Sequence, residues 1–173
     1  MSQAGRKTIR IADYDADWPH AFLRESRRLH GALGGTVLKV HHIGSTSVHG
    51  LSAKPVIDIL LEVVSLDELD AKEAALIALG YQARGEHGIP GRRYYQLGGA
   101  ARTHQVHAFV QGDANVERHL AFRDYLRENR HVAEQYARIK MSAAEGDATM
   151  YCAKKEAFIK QHERIALMGR KAE

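Results

Sequence analysis

The stretch HHIGSTSVHGLSAKPVIDILLE, residues 41–62, constrains the fold of this chain more than any other segment. In its first half an apolar approach runs into Gly44, Ser45, Thr46 and Ser47, which predicts a strand that enters a tight turn. Gly44 has no Cβ, so the backbone there can fold sharply and bring its N–H groups close to a ligand. The three hydroxyl groups add further donors. The turn is therefore predicted to bind a phosphate group.

The second half of the stretch is a β-branched run, residues 56–64, that predicts a strand. Because side chains alternate between the two faces of a strand, Asp58, Leu60 and Glu62 share one face and the apolar odd-numbered residues share the other. Carboxylates beside a glycine-serine turn suit a divalent cation held between the acids and a bound phosphate. The alternative is an ordinary half-buried strand whose acids face water, next to a turn without a ligand.

The string GSTSVHGLSAKPVIDI, residues 44–59, is very similar to the signature GST-[AS]-V-x-GL-x-[AS]-KP-x-ID of the GrpB family, which belongs to the nucleotidyltransferase superfamily. Further similar segments, in the family's order, are Gly91–Tyr95, Arg102–His107, Phe122–Arg127, Tyr136–Lys140 and Tyr151–Ile159. The resemblance extends from Ile9 to about Ala166, which is nearly the whole chain. As a set, these motifs are specific.

The resemblance implies a superfamily site in which a glycine-serine turn is followed by an acid-x-acid pair on the next strand. Gly44, Ser45 and Asp58 match this pattern, whereas Leu60 stands where the second acid belongs. Glu62 lies on the same strand face and is the acid that can substitute at longer reach. The leucine argues against a mechanism that uses two metal ions.

Two further strands are predicted at residues 92–97 and 102–110, joined as a hairpin by a Gly-Gly-Ala turn. Alternation places Val106 on the core face of the second strand, so His107 points out of the core, as Asp58 does. In the superfamily that the chain resembles, the equivalent strand commonly carries the third metal ligand, and a neutral imidazole can ligate a metal. His107 is therefore the candidate third ligand. The alternative is a hydrogen-bonded, half-buried histidine without a metal.

Three helices are predicted in the last third of the chain, at residues 115–129, 131–144 and 147–168. The apolar stripe of each contains a cation, which is costly to bury unless an anion meets it. Two explanations stay open: the cations reach water or pair with Asp124 and Glu134, or they converge on a phosphate-binding pocket that faces the turn. The second explanation is favoured by the family resemblance. The cations are Arg123, Lys140 and Lys155, and the residues that border the same region are Lys54, Arg92 and Arg93.

Composition limits the classes of function. The net charge of +4 is compatible with an anionic ligand. The sequence contains no basic block with interleaved aromatic residues, so a nucleic-acid partner is not expected. Cys152 is the only cysteine, so a reducing, cytoplasmic environment is expected. The first residues lack the apolar region of a signal peptide, and the longest apolar run, residues 56–64, is too short to cross a bilayer. No membrane association is expected.

The sequence predicts a single α/β (α+β) domain over residues 1–173. Its fold is expected to be nucleotidyltransferase-like: a mixed, mostly antiparallel sheet with an edge strand at 7–11, covering helices at 15–33 and 66–79, and a C-terminal helical layer that closes a cleft. The implied function is transfer of NMP from an NTP to an acceptor, dependent on Mg²⁺ or Mn²⁺. The alternative is a non-catalytic module that binds a nucleotide or another phosphorylated metabolite. A third possibility, taken from the family's associations, is a fusion or interaction partner of a coenzyme-A biosynthetic kinase.

Overall fold

The structure, a computed structural model, describes residues 10–144 and 148–171. Within those residues it contains six α-helices and five strands. The helices are α1 Trp18–Leu33, α2 Leu66–Ala71, α3 Glu73–Ala78, α4 Ala114–Glu128, α5 Arg130–Ala144 and α6 Ala148–Arg170. The strands are β1 Val37–Ile43, β2 Ile57–Val63, β3 Gln82–Ala83, β4 Arg93–Leu97 and β5 His104–Val110. The predicted edge strand at 7–11 falls mostly outside the described residues.

The five strands form one sheet in the order β1-β2-β5-β4-β3. The outer neighbours pair antiparallel, and the central pair, β2 and β5, is parallel. A parallel pair needs a crossover connection, which α2, α3, β3 and β4 provide here. The predicted mixed, mostly antiparallel sheet is therefore confirmed. Strand β3 was missed because two residues are too few to show an alternating pattern.

One face of the sheet packs against α1, α2 and α3 and forms the main hydrophobic core. The odd-numbered residues of β2, from Ile57 to Val63, lie on this face and are at most 3% exposed. Val106 and Ala108 of β5 extend the same core. The predicted alternation of both strands is correct, and it leaves the even-numbered residues of β2 on the opposite face.

The covering helices differ from the predicted segments at two points. α1 begins at Trp18 rather than near residue 15, because Pro19 belongs in the first turn, where its missing N–H costs nothing. The segment predicted as one helix over 66–79 is two short helices interrupted at Lys72. Ser65 starts the first of them by accepting a hydrogen bond from the N–H of Glu68 at 3.1 Å.

The other face of the sheet is covered by a layer of α4, α5 and α6, which confirms the predicted C-terminal helical layer. α4 starts one residue before the predicted position, because the carboxylate of Asp113 accepts from the N–H of Asn115 at 2.7 Å. Leu60 of β2 packs under this layer against Phe109 and Val116. In the described part of the chain, no helix has the length and apolar character needed to cross a membrane.

The contact between α1 and the main core allows a first prediction. Tyr81 donates a hydrogen bond of 2.8 Å to Glu25, a carboxylate that is 4% exposed and that also pairs with Arg28. Replacing Tyr81 by phenylalanine removes a hydrogen bond to a buried charged group, so we expect the free energy of unfolding to fall by about 1.5–3 kcal/mol. Urea unfolding of the wild type and of Tyr81→Phe measures this difference in the free energy of unfolding.

Tyr95 supplies the matched control for this substitution. It is 1% exposed in the same core, but its hydroxyl has no hydrogen-bond partner among the described residues. Tyr95→Phe is therefore expected to change the free energy of unfolding by less than about 0.5 kcal/mol or to raise it slightly. Equal losses in the two variants would show that the Tyr81 hydroxyl contributes nothing specific.

Candidate functional site

The turn between β1 and β2 is shaped by Gly44. Its backbone has φ +71° and ψ −176°, a region that essentially only glycine adopts, and Ser45–Ser47 then form a single 3-10 turn. The antiparallel register pairs Ile43 with Asp58, so the turn starts directly beside the acid of β2. A Cβ atom on Gly44 would lie 2.5 Å from Asp58 Oδ2. The predicted small-residue turn and the predicted acidic strand are therefore in contact.

A cavity of about 260 Å³ opens at this contact, between the turn, the sheet and the C-terminal helices. Polar side chains from all three sources line it. They include Ser45 and Thr46 of the turn, Asp58, Gln105 and His107 of the sheet, and Arg118, Lys140, Lys155 and Glu163 of the helices, with Lys54 from the loop before β2. The structure therefore brings together eight of the predicted site residues: Gly44, Ser45, Thr46, Lys54, Asp58, His107, Lys140 and Lys155.

The carboxylate of Asp58 lies on the sheet side of the cavity. The parallel register pairs Asp58 with Gln105 and Leu60 with His107. His107 Nε2 lies 3.6 Å from Asp58 Oδ1, and the Gln105 amide, oriented to match its neighbours, donates to the same oxygen at 3.1 Å. Asp58 and His107 therefore share one face, as the alternation of the strands predicted.

Two hydroxyl groups of the turn, those of Thr46 and Ser47, already have protein partners. Thr46 Oγ1 lies 2.9 Å from His42 Nε2, and burial lowers the pKa of His42 to about 4, so this imidazole is neutral. Ser47 Oγ donates to the carbonyl of Gly44 at 2.6 Å. These contacts fix the turn before any ligand arrives. The N–H of Ser47 also donates within the turn, to the carbonyl of Gly44 at 3.1 Å, so the donors that remain for a ligand are chiefly the lysines of the cavity.

Three lysines line the cavity. Lys140 is 2% exposed, donates to the carbonyl of Ser52 at 2.7 Å and lies 4.6 Å from the ring centroid of Tyr136. Burial first, and then the charge of Lys155, lower the pKa of Lys140 to about 7. Partial burial and Lys155 also lower the pKa of Lys54, which is exposed at the mouth. Among the described residues, no carboxylate lies within 4.0 Å of any of the three ammonium groups.

Arg118, His119 and Glu163 also line the cavity, and the sequence did not predict them as site residues. Arg118 and Glu163 form an ion pair of 2.7 Å between α4 and α6, which neutralises both charges. His119 is held neutral, because burial and its neighbour His107 place its pKa well below the usual value. None of the three lies in a recognisable motif, and only the packing of α4 on α6 brings them here.

Glu62 and Arg92 were predicted to act in the site, and the structure places both outside the cavity. Glu62 is 5% exposed, and its Oε1 lies 2.7 Å from His41 Nε2 and 3.8 Å from Lys39 Nζ of β1, further along the strand. Arg92 donates to two carbonyl groups of the loop before β4, and its Nη1 lies 3.3 Å from His107 Nδ1. Arg92 therefore contacts the Nδ1 side of His107 and orients this ring, and it does not face a ligand in the cavity.

Arg93 and Arg123 also lie outside the cavity. Arg93 pairs with Ala108 across the hairpin, which puts it on the main-core face, and its guanidinium binds Asp70 at 2.7 Å. Arg123 Nη1 donates to the carbonyl of His42 at 3.3 Å, and its Nε contacts Asp124 at 2.7 Å. The pairing of Arg123 with Asp124 is the alternative that the sequence left open. Arg123 supports the backbone that leads into the turn.

The residues at this site do not fit a resident metal ion. Leu60, which is fully buried, occupies the position of the second acid, and Glu62 is engaged with His41. In the part of the chain that the structure describes, no group of three His, Cys, Asp or Glu side chains is arranged to hold a metal. Asp58 and His107 alone provide one carboxylate and one imidazole. A magnesium ion here would need ligands from a bound phosphate as well.

These features define a mixed α/β protein with a lysine-lined cavity between its sheet and a C-terminal helical layer. The chain belongs to the GrpB family: the family described as GrpB protein matches residues 8–164. The crystal structure of the conserved protein GrpB from Enterococcus faecalis superposes with a TM-score of 0.88 at 39% identity, covering 93% of this chain and 99% of that one.

Two curated relatives are longer than this chain. The UPF0157 protein YqkA of Bacillus subtilis is 40% identical over 169 residues, which cover 96% of this chain and 49% of YqkA. A protein of Mycobacterium bovis named dephospho-CoA kinase is 33% identical over 195 residues, covering 94% of this chain and 47% of that protein. The chain thus spans about half the length of these two relatives.

Proposed function

We propose that the cavity binds the phosphate groups of a nucleotide or of a nucleotide-like metabolite. The observation that carries this proposal is that Lys54, Lys140 and Lys155 line one cavity together with Gly44, Ser45 and Thr46 of the turn. Neighbouring, partly buried cations repel one another and lose hydration, and a bound anion offsets both costs. Phosphate matches this set of residues, because ammonium groups bind its oxygens and a glycine-serine turn is suited to approach them closely.

The size of the cavity indicates which part of the ligand it encloses. Its volume of about 260 Å³ is just below the range of roughly 300–1,000 Å³ found for pockets that bury a whole small ligand. The phosphates fit beside Lys140 and Lys155, and the nucleoside would extend toward the mouth. Phe122 and Tyr151, which also line the cavity, provide aromatic surface for it.

The second candidate is transfer of NMP from an NTP to an acceptor. The contact between Asp58 and His107 favours it, because these are the residues that match the superfamily's ligand positions. This reading requires Mg²⁺ or Mn²⁺ for binding or turnover, whereas phosphate binding by lysines does not. The presence of a similar region in a protein named dephospho-CoA kinase makes dephospho-CoA a further ligand to test.

Calorimetric titration with ATP, ADP and dephospho-CoA, each in the presence of Mg²⁺ and of EDTA, tests the proposal. We expect binding that does not depend on metal. Lys155→Met should weaken it by about tenfold, because one charge-assisted contact of roughly 1.4 kcal/mol is lost. Lys154→Met is the matched control: Lys154 is the exposed neighbour on α6, does not line the cavity and should bind as the wild type does.

Asp58→Asn separates the two candidate functions in the same titration. Lysine-based binding predicts a several-fold gain in affinity for the free nucleotide, because a negative charge near the phosphates is removed. Metal-dependent transfer predicts the opposite, a loss of Mg²⁺-dependent binding. Failure of all three compounds to bind, with and without metal, would contradict the proposal itself.

A further inference from the structure

We propose that the protein has a second binding site, separate from the lysine-lined cavity, for a small organic anion with an apolar body. The site is a second cavity of about 650 Å³ between the loop 48–52 and the facing sides of α4 and α5. Its volume lies well within the range of roughly 300–1,000 Å³ that encloses small ligands. It shares no lining residue with the first cavity.

The floor of the second cavity is apolar. Val48, Leu51 and Leu126 are at most 3% exposed, Ala133 is 7% exposed, and all four belong to the core cluster under the helical layer. These side chains are held by neighbours on their far sides, so the floor is already formed before a ligand binds. An apolar group placed against this floor and the half-buried Ala137 would be removed from water.

The rim of the second cavity is positively charged. Arg127, Arg130 and Arg138 surround the opening, with Glu134 as the single carboxylate among the lining residues. Glu134 pairs with Arg130 at 3.0 Å, but both side chains are more than half exposed, so this pair holds Arg130 only weakly. Guanidinium groups bind carboxylate, sulfonate and phosphate oxygens well. A hydrophobic floor below an arginine rim therefore selects an anion with an apolar body.

The loop that separates the two cavities is anchored from both sides. Arg127, on the side of the second cavity, donates to the carbonyl of Ser47 through Nε at 3.0 Å and Nη2 at 2.9 Å. Lys140, on the side of the first cavity, donates to the carbonyl of Ser52 at 2.7 Å. The loop is therefore a fixed wall, and a ligand in the second cavity contacts a different surface from one in the first.

The probe for this site is 8-anilinonaphthalene-1-sulfonate, an aromatic sulfonate whose fluorescence rises in apolar surroundings. We expect saturable binding of one probe per chain to the folded protein. Ala137→Phe, which fills the cavity from a half-buried position, should abolish this binding. Arg138→Gln should weaken it by about three- to tenfold, the loss expected for one exposed charge contact.

Three comparisons make the test specific. Arg164→Gln, an exposed arginine of α6 outside both cavities, and Lys155→Met in the first cavity should both bind the probe as the wild type does. Backbone amide shifts caused by the probe should cluster in residues 48–52 and 126–138. Equal affinity in wild type and Ala137→Phe, non-saturable binding, or shifts centred on Ser45 and Asp58 would each overturn the proposal. None of these outcomes depends on nucleotide binding.

Discussion

Replacing Gly44 by alanine is expected to lower the free energy of unfolding by about 2–4 kcal/mol and to remove ligand binding in the lysine-lined cavity. Two costs add. The backbone at φ +71° and ψ −176° is strained for any residue with a Cβ, by about 1–3 kcal/mol. The new methyl group would also lie 2.5 Å from Asp58 Oδ2, so the carboxylate or the turn must move. Chemical denaturation measures the first effect and calorimetric titration the second.

Gly50→Ala is the control that separates these two costs. Gly50 also has a positive φ, +76°, but a Cβ there would meet no atom within 4 Å. It should cost only the backbone strain, about 1–2 kcal/mol, and leave ligand affinity intact. Adding Asp58→Ser to Gly44→Ala should recover part of the lost stability. If Gly44→Ala and Gly50→Ala lost equal stability, the contact between the turn and the acid would not matter.

The central site was predictable because strands have a period of two. From alternation alone, Asp58 and His107 were assigned to the face opposite the apolar residues of their strands, and the parallel pairing of β2 with β5 then brings them within 3.6 Å. The tight turn was predicted from Gly44, because a residue without a Cβ allows the backbone to bend sharply. Both inferences depend only on the local sequence, because the alternation of side chains along a strand is the same whichever strand it pairs with.

The arginines show where the sequence is insufficient. Helical spacing assigned Arg123 and Lys140 to inward stripes, and both do point inward, but Arg123 binds the carbonyl of His42 as well as Asp124, and Lys140 binds the carbonyl of Ser52. A carbonyl is present at every residue, so no side-chain pattern identifies it as a partner. Arg93 was misplaced for a different reason: the strand begins at Arg93, and its first residue faces the main core, where Asp70 neutralises it.

The structure adds a packing role to what the sequence indicates about Leu60. As a departure from the acid-x-acid pattern it indicated a lost metal ligand. The structure shows that Leu60 is fully buried among Ile43, Phe109 and Val116. A carboxylate at this position would be surrounded by apolar side chains and would need a partner to stay charged. The packing of α4 on the sheet is thus built around a leucine here, which favours phosphate binding by lysines over chemistry at a pair of acids.

The lysine-based site predicts a strong pH dependence of ligand binding. The pKa of Lys140 is lowered to about 7, so at pH 8 the free protein holds this side chain mostly neutral. A bound phosphate favours the charged form, so binding takes up a proton above pH 7 and the affinity falls as the pH rises, by up to about tenfold per pH unit. Terminal phosphates are already ionised there. Titration in two buffers of different ionisation enthalpy gives the proton uptake directly.

Lys140→Met tests whether the side chain of Lys140 causes the pH dependence of ligand binding. The variant should bind more weakly at pH 7 and show a much flatter dependence up to pH 9, whereas Lys54→Met should keep most of the slope, because Lys54 is exposed at the mouth. Stability provides an independent readout. Between pH 7 and 10.5 the unfolded chain protonates Lys140 and the native chain does not, so the free energy of unfolding of the wild type should rise with pH relative to Lys140→Met. Wild-type affinity that stays constant from pH 7 to 9 would exclude Lys140 as a phosphate ligand.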